Sequence, residues 1–214
     1  AQEGYALTFM AKYDEREGNS CHIHLSFRGL DGEMVMASKD DPENGLSDVG
    51  RSFIAGQLAH LQELSLLFAP NINSYKRFAP GSFAPTSIEW GRDNRTCALR
   101  LVGRGAGLRV ENRVPGGDVN PYLAVAAMIA AGLDGIEKAM ELRPAFPGNA
   151  YASDGPKVPW RLSDSLELWE RSEWVAEAFG EDVQHHYANM GRIELEAFGR
   201  AITDWERFRG FERL

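Results

Sequence analysis

Arg109, Glu111 and Arg113 alternate with Val110 and Asn112. In a β-strand the period of two sets all three charged side chains on one face. Two guanidiniums flanking one carboxylate suit a polyphosphate, with the carboxylate left to ligate a metal. The same pattern also suits a solvated strand face laced with salt bridges. The surrounding stretch, Asn73 to Arg113, holds eight basic residues against three acids in a chain of formal charge −8. A second set lies upstream. Cys21 to Phe27 alternates, so His22, His24 and Ser26 share one face and Ile23, Leu25 and Phe27 the other. Paired imidazoles on a strand serve as metal or phosphate ligands, or simply hydrogen-bond one another. Residue types alone leave both roles open.

These side chains need strands to carry them and helices behind the strands. Tyr5 to Tyr13, Cys21 to Phe27, Met34 to Met36, Ile88 to Trp90, Cys97 to Val102 and Leu108 to Val114 read as strands. From Ser47 the period turns helical, with Val49, Phe53, Ile54, Leu58, Leu61, Leu64 and Leu67 in phase until Pro70. Asn71 to Pro85 reads as a structured loop. Asn120-Pro121 caps a helix from Tyr122 to about Met140, apolar nearly all round and hence expected to be buried. After a loop at Pro144 to Pro159, helices are expected over Ser165 to Phe179 and Asp182 to Phe208. The second is expected to bury Tyr187, Met190, Phe198, Ile202 and Trp205. The class is α+β, a mostly antiparallel sheet backed by helices. With 214 residues the chain can bury a sizeable core. No run reaches the apolar length of a membrane span. The acidic balance argues against a nucleic-acid partner. Two cysteines, Cys21 and Cys97, make no disulfide framework and fit a cytoplasmic setting. The chain starts at Ala1 within a strand-like run, so a piece of a longer protein is expected.

Four motifs in order, NSYKR-x-x-PG-x-x-AP, Asn94-Arg95, R-x-E-x-R and NPYLA-x-AA-x-x-x-AGLDGI, resemble glutamine synthetase of the bacterial type I class. The resemblance covers nearly the whole chain and weakens after Leu142. It implies that residues 1–142 are part of the catalytic domain and that 143–214 are a helical extension of it. It extends to Gly18-x-x-x-His22-x-His24-x-Ser26. In the family's pattern His22 and Glu111 would ligate one Mg²⁺ or Mn²⁺, while His24, Ser26, Arg100 and Arg109 would face ATP. Arg77 and Gly18 would bind glutamate, and Arg95 and Arg113 would act at the transferred phosphate. The implied partners are ATP, glutamate and an amine, in a ring-type homo-oligomer. The implied reaction makes γ-glutamyl phosphate, which an amine then opens.

Two departures stand out. The family flap reads Pro-Gly-x-Glu-Ala-Pro, and here Phe83 occupies the glutamate position; Glu17 stands where the family has Asn. A phenyl ring takes no proton, which points from ammonia toward an organic amine and resembles the γ-glutamyl-polyamine and γ-glutamyl-ethanolamide synthetases. The family's Glu-x-Glu strand, two further glutamates and small N-terminal domain have no counterpart here, so this stretch alone is expected to hold an incomplete, inactive site. Ordinary glutamine synthetase, and a non-catalytic relative that binds or assembles, are the alternatives.

Overall fold

The computed structural model describes residues 2–212. Its centre is a four-stranded sheet of order β1-β4-β3-β2, built from β1 (Ile23–Leu25), β2 (Trp90–Arg92), β3 (Leu99–Val102) and β4 (Arg109–Asn112). β4 pairs antiparallel with both β1 and β3, and β2 runs parallel to β3. The expected class is therefore the observed one. Leu99, Leu101 and Val110 point into the core, fully buried, and leave the opposite face of the sheet to the charged residues.

Eight helices stand around the sheet among the described residues: α1 (Asp48–His60), α2 (Ser65–Phe68), α3 (Ile72–Tyr75), α4 (Pro121–Glu137), α5 (Leu162–Arg171), α6 (Glu173–Phe179), α7 (Glu181–Arg200) and α8 (Asp204–Glu212). Ser47 caps α1 by accepting from the Gly50 amide, and Asn120 caps α4 through the Tyr122 and Leu123 amides, with Pro121 in the first turn. α1 and α4 cross closely because glycine faces the partner backbone at each contact. A Cβ on Gly56 would lie 2.1 Å from the Ala131 carbonyl oxygen, and one on Gly135 would lie 2.1 Å from that of Ser52.

Several expected elements differ. Tyr5 to Tyr13 forms no strand; Lys12 makes an isolated antiparallel bridge to Gly18, while Leu7 and Phe9 face water. Met34 to Met36 is likewise outside any strand, although the turn before it forms. The helical run from Ser47 breaks at Leu61, where the Ser65 hydroxyl donates to the Leu61 carbonyl at 2.8 Å. Asn71 to Pro85 contains α3, closed by a reciprocal Asn71–Ser74 capping box. Ser172 divides the next expected helix by capping α6. The last one breaks after Arg200, and Met190, Phe198, Ile202 and Trp205 are exposed rather than buried. Nor is α4 buried all round: Tyr122, Ile129 and Leu133 face outward.

His60 ties α1, α4 and α6 together. Its ring stacks on Trp174 with centroids 3.6 Å apart, Nε2 meets Asp134 at 2.8 Å, and Nδ1 meets Glu63. Burial disfavours the charged ring, but the two carboxylates outweigh it and raise the pKa above the ordinary value. A raised folded pKa means that this stabilisation is complete below the unfolded pKa and is lost as pH rises through the folded one. His60→Gln in the intact protein is expected to lower stability by about 2 kcal/mol near pH 6 and by clearly less near pH 9. Denaturant melts at the two pH values check this, and an equal gap at both would contradict it.

Candidate active site

The register of the sheet assembles the site. On β4, Glu111 stands opposite His24 of β1 on one side and opposite Arg100 of β3 on the other. Directly opposed residues share a face, so one row of the sheet reads imidazole, carboxylate, guanidinium. Arg113 and His22 follow one step along. Glu111 is only 3% exposed and is surrounded. Arg100 Nη1 donates to Oε2 at 3.1 Å and Arg113 Nη1 to Oε1 at 3.1 Å. His22 Nδ1 lies 3.3 Å and His24 Nε2 3.5 Å from Oε1. Arg109 joins from the strand end, donating Nε to His24 Nδ1 at 3.2 Å. Arg100, Arg113 and the two histidines therefore converge on one carboxylate, with Arg109 reaching it through His24.

The electrostatics follow from this crowding. Burial would raise the Glu111 pKa, but Arg113 and the hydrogen bonds from Arg100 and Arg113 bring it below the ordinary carboxylate value. Burial first, then Arg113, push His22 down to about 4 despite the nearby Glu111, so its ring is neutral at pH 7. His22 Nδ1 also lies 3.4 Å from Arg113 Nη1, and the other ring nitrogen, Nε2, is buried without a partner. Arg100 is held further by Asp93, to which Nε donates at 2.9 Å, and Arg100 holds the Asp93 carboxyl below its usual range.

Arg113 links the row to two loops. Its Nε donates to the Arg95 carbonyl at 3.1 Å and its Nη2 to the Phe83 carbonyl at 3.2 Å. The loop around Phe83 is thus anchored through its backbone, while the ring is 59% exposed. Phe83 sits at φ 57, a left-handed conformation that costs a side-chain-bearing residue about 1–2 kcal/mol.

The other expected residues distribute as follows. Arg95 is exposed, and its guanidinium acts through space on Asp93. Arg77 is 2% exposed and donates to Ser20 Oγ at 3.0 Å and to the Val114 carbonyl. Gly18 packs on its stem, where a Cβ would stand 2.6 Å from Arg77 Cγ. Ser26 is set apart from the row and borders an apolar cavity of about 260 Å³ with Phe27, Phe53 and Leu133. Arg92 and Arg104 serve another purpose. Arg92 donates to the Asn44 carbonyl at 2.8 Å and Arg104 to the Pro42 and Glu43 carbonyls at 3.3 Å, pinning that loop beside the sheet. Sequence reasoning missed Asp93 and Ser20 as partners of these arginines. Asp93, in the turn before β3, carried a readable signal: an acid set between Arg92 and Arg95 in an arginine-rich stretch.

A divalent cation would find two suitable donors here, the unpartnered Nε2 of His22 and the anionic Glu111. Among the described residues no group of three His, Cys, Asp or Glu is arranged to hold a metal ion. These residues fit such an ion as part of a ligand set, not as the whole.

A sheet with its charged row on one face and helices on the other is the α+β architecture of a family of synthetase catalytic domains. The glutamine synthetase catalytic domain matches residues 1–209, and the chain belongs to that family. Among curated proteins it is 62% identical over 214 residues to the γ-glutamylethanolamide synthetase of Streptomyces coelicolor, covering 100% of this chain and 46% of that one. It is 40% identical over 212 residues to the glutamate–isopropylamine ligase of a Pseudomonas species, covering 96% of this chain and 46% of that one. A solved GmaS–ADP complex superposes with a TM-score of 0.86 at 33% identity, over 96% of this chain and 49% of the other. The chain thus spans about half the length of the curated relatives it matches.

Glu111→Gln keeps the shape of the row but leaves the buried Arg113 without its counter-ion and Arg100 with only the exposed Asp93. Stability of the intact protein is expected to fall by about 2–3 kcal/mol, with part of the loss recovered in inorganic phosphate, an anion that can take the carboxylate's place between the guanidiniums. Thermal melts with and without phosphate measure both effects; an unchanged melting temperature would show that the carboxylate is not what holds the row.

Proposed function

We propose that the intact protein is an ATP-dependent ligase that activates glutamate as γ-glutamyl phosphate and condenses it with an organic amine. The observation that carries this is the row around Glu111. It buries one carboxylate among Arg100, Arg113 and two histidines, an arrangement suited to phosphate groups and a divalent ion. The family membership supplies the reaction class. The names of the relatives, an ethanolamide synthetase and an isopropylamine ligase, favour an organic amine.

Arg77, buried and ionised, would receive the α-carboxylate of glutamate. Arg113 and Arg95 would neutralise charge on the transferred phosphoryl group, and planar guanidiniums suit that task. His24, Ser26, Arg100 and Arg109 would line the nucleotide side. His22 and Glu111 would hold Mg²⁺ or Mn²⁺, which when bound supplies further charge neutralisation to phosphate oxygens. In the first step a γ-carboxylate oxygen bonds to the γ-phosphorus of ATP as the bond to the bridging oxygen breaks, releasing ADP. In the second the amine nitrogen bonds to the acyl carbon, inorganic phosphate leaves, and the nitrogen gives up a proton. The incomplete donor set supports a site finished by residues outside this chain. The same reading makes the intact protein a cytoplasmic homo-oligomer.

Phe83 carries the choice of amine. Its exposed ring offers a face to an organic ammonium, worth roughly 0.5–2 kcal/mol. Contact with a carbon chain adds about 0.8 kcal/mol per buried methylene, and ammonia gains nothing from that second contribution. The intact protein offered ammonia together with ethanolamine or a polyamine should make chiefly the γ-glutamylamide, and Phe83→Glu should shift product toward glutamine. A parent protein that makes mainly glutamine in this competition would sink the organic-amine reading and restore ordinary glutamine synthetase.

A further inference from the structure

Arg77 is paired through both Nη atoms, yet its Nε is buried with no partner. Asp118, between β4 and α4, has the matching deficiency. Its Oδ2 accepts from Asn71 Nδ2 at 2.8 Å and from Ser74 Oγ at 2.6 Å, while Oδ1 is buried and unpartnered. Both unpaired atoms lie around the place where a side chain on Gly116 would stand. A Cβ built on Gly116 would lie 2.5 Å from Asp118 Oδ1 and 3.8 Å from Arg77 Nε. Burial and Arg113 work against the charge on Arg77, and Asp118 works for it. A buried cation and a half-buried anion, each with one buried unpaired atom near the same glycine, are oppositely charged neighbours that each offset the unfavourable burial of the other.

We propose that Asp118 is a positioning residue for Arg77, acting in two ways. Through Asn71 and Ser74 it locks the capping box of α3, the short helix from whose end Arg77 projects. Past Gly116 it supplies a negative counter-charge to a guanidinium that is almost wholly buried. Because Asp118 Oδ1 and Arg77 Nε form no hydrogen bond, Asp118 steadies the cation without quenching it. A direct bidentate pair would use up the donors and the field that an incoming carboxylate needs. Arg77 in turn stands close enough to His22 to help depress its pKa, which places the stabilised charge beside the Glu111 row. This inference rests on the reading of Arg77 as the group that receives the α-carboxylate of glutamate.

Asp118→Asn in the intact enzyme separates the two actions. The amide oxygen can still accept from Asn71 and Ser74, so α3 keeps its cap, but the counter-charge is gone. The expected result is a rise in KM for glutamate of about tenfold, the effect of weakening one charge-assisted contact, with KM for ATP nearly unchanged. Both constants are read on the same preparation, so a reduced folded fraction leaves their ratio intact. Arg77→Gln is measured alongside. If Arg77→Gln raises KM for glutamate and Asp118→Asn does not, the positioning role is overturned while the clamp stands. If Arg77→Gln leaves KM for glutamate unchanged, the clamp reading fails and this inference fails with it. Equal rises in both Michaelis constants for Asp118→Asn would mark Asp118 as a general structural residue and also overturn the proposal.

Discussion

The site depends on one carboxylate kept ionised inside a lattice of cations. Glu111 lies on the central strand of the charged row, and a buried anion there would be strongly unfavourable alone. Arg100 and Arg113 make it tolerable, each at 3.1 Å. The same contacts restrain the arginines, whose long side chains would otherwise lose considerable entropy on being ordered. Removing any one of the three leaves the other two in a worse state, so the row behaves as a unit. The sheet can devote a face to this because its other face is mostly apolar, with Leu99, Leu101 and Val110 fully buried, and α1 and α4 pack together behind it through close glycine contacts.

From that row the structure spreads outward by way of Arg113. Its side chain reaches the backbone of Phe83 and of Arg95, so the loop proposed to choose the amine and the loop proposed to approach the phosphate are tethered to the residue that neutralises Glu111. A change in charge at Glu111 is therefore felt at both loops. The left-handed backbone at Phe83 is a local cost that this tether helps to sustain. Phe83 contributes its carbonyl to the framework and its ring to solvent, so the backbone serves structure while the side chain is left for recognition.

The arginines also show how one residue type divides its labour by burial. Arg92 and Arg104 hold backbone carbonyls of residues 42–44 and act as struts. Arg100 and Arg113 neutralise. Arg77 is buried with Ser20, Val114 and the more distant Asp118 around it, and Gly18 is glycine because the stem of Arg77 passes where its Cβ would be. Charge counting in the stretch from Asn73 to Arg113 cannot sort these roles, since all are arginines at similar spacing. Depth and partners sort them.

Local pattern was enough to place the strands around His22 to Ser26 and Arg109 to Arg113, the capped helix at Asn120-Pro121 and the α+β class, because strand period, caps and proline act within a few residues. The motifs at Arg77, Phe83, Arg95, Glu111 and Arg113 were legible through their resemblance to the glutamine synthetase family, not through period or caps. Register was not legible: that Glu111 meets His24 and Arg100 in one row is a property of three strands distant in sequence. The split of the helical run at Ser65, the break after Arg200 and the exposure of Met190, Phe198, Ile202 and Trp205 were also beyond reach. An apolar periodicity says that a face wants covering, and only the tertiary packing decides whether anything covers it. So it was with Tyr5 to Tyr13, whose side chains alternate like a strand's but whose Lys12 makes only an isolated bridge to Gly18. Sequence determined which residues could do the chemistry; the fold decided which of them touch, because contact depends on register and depth rather than on neighbours along the chain.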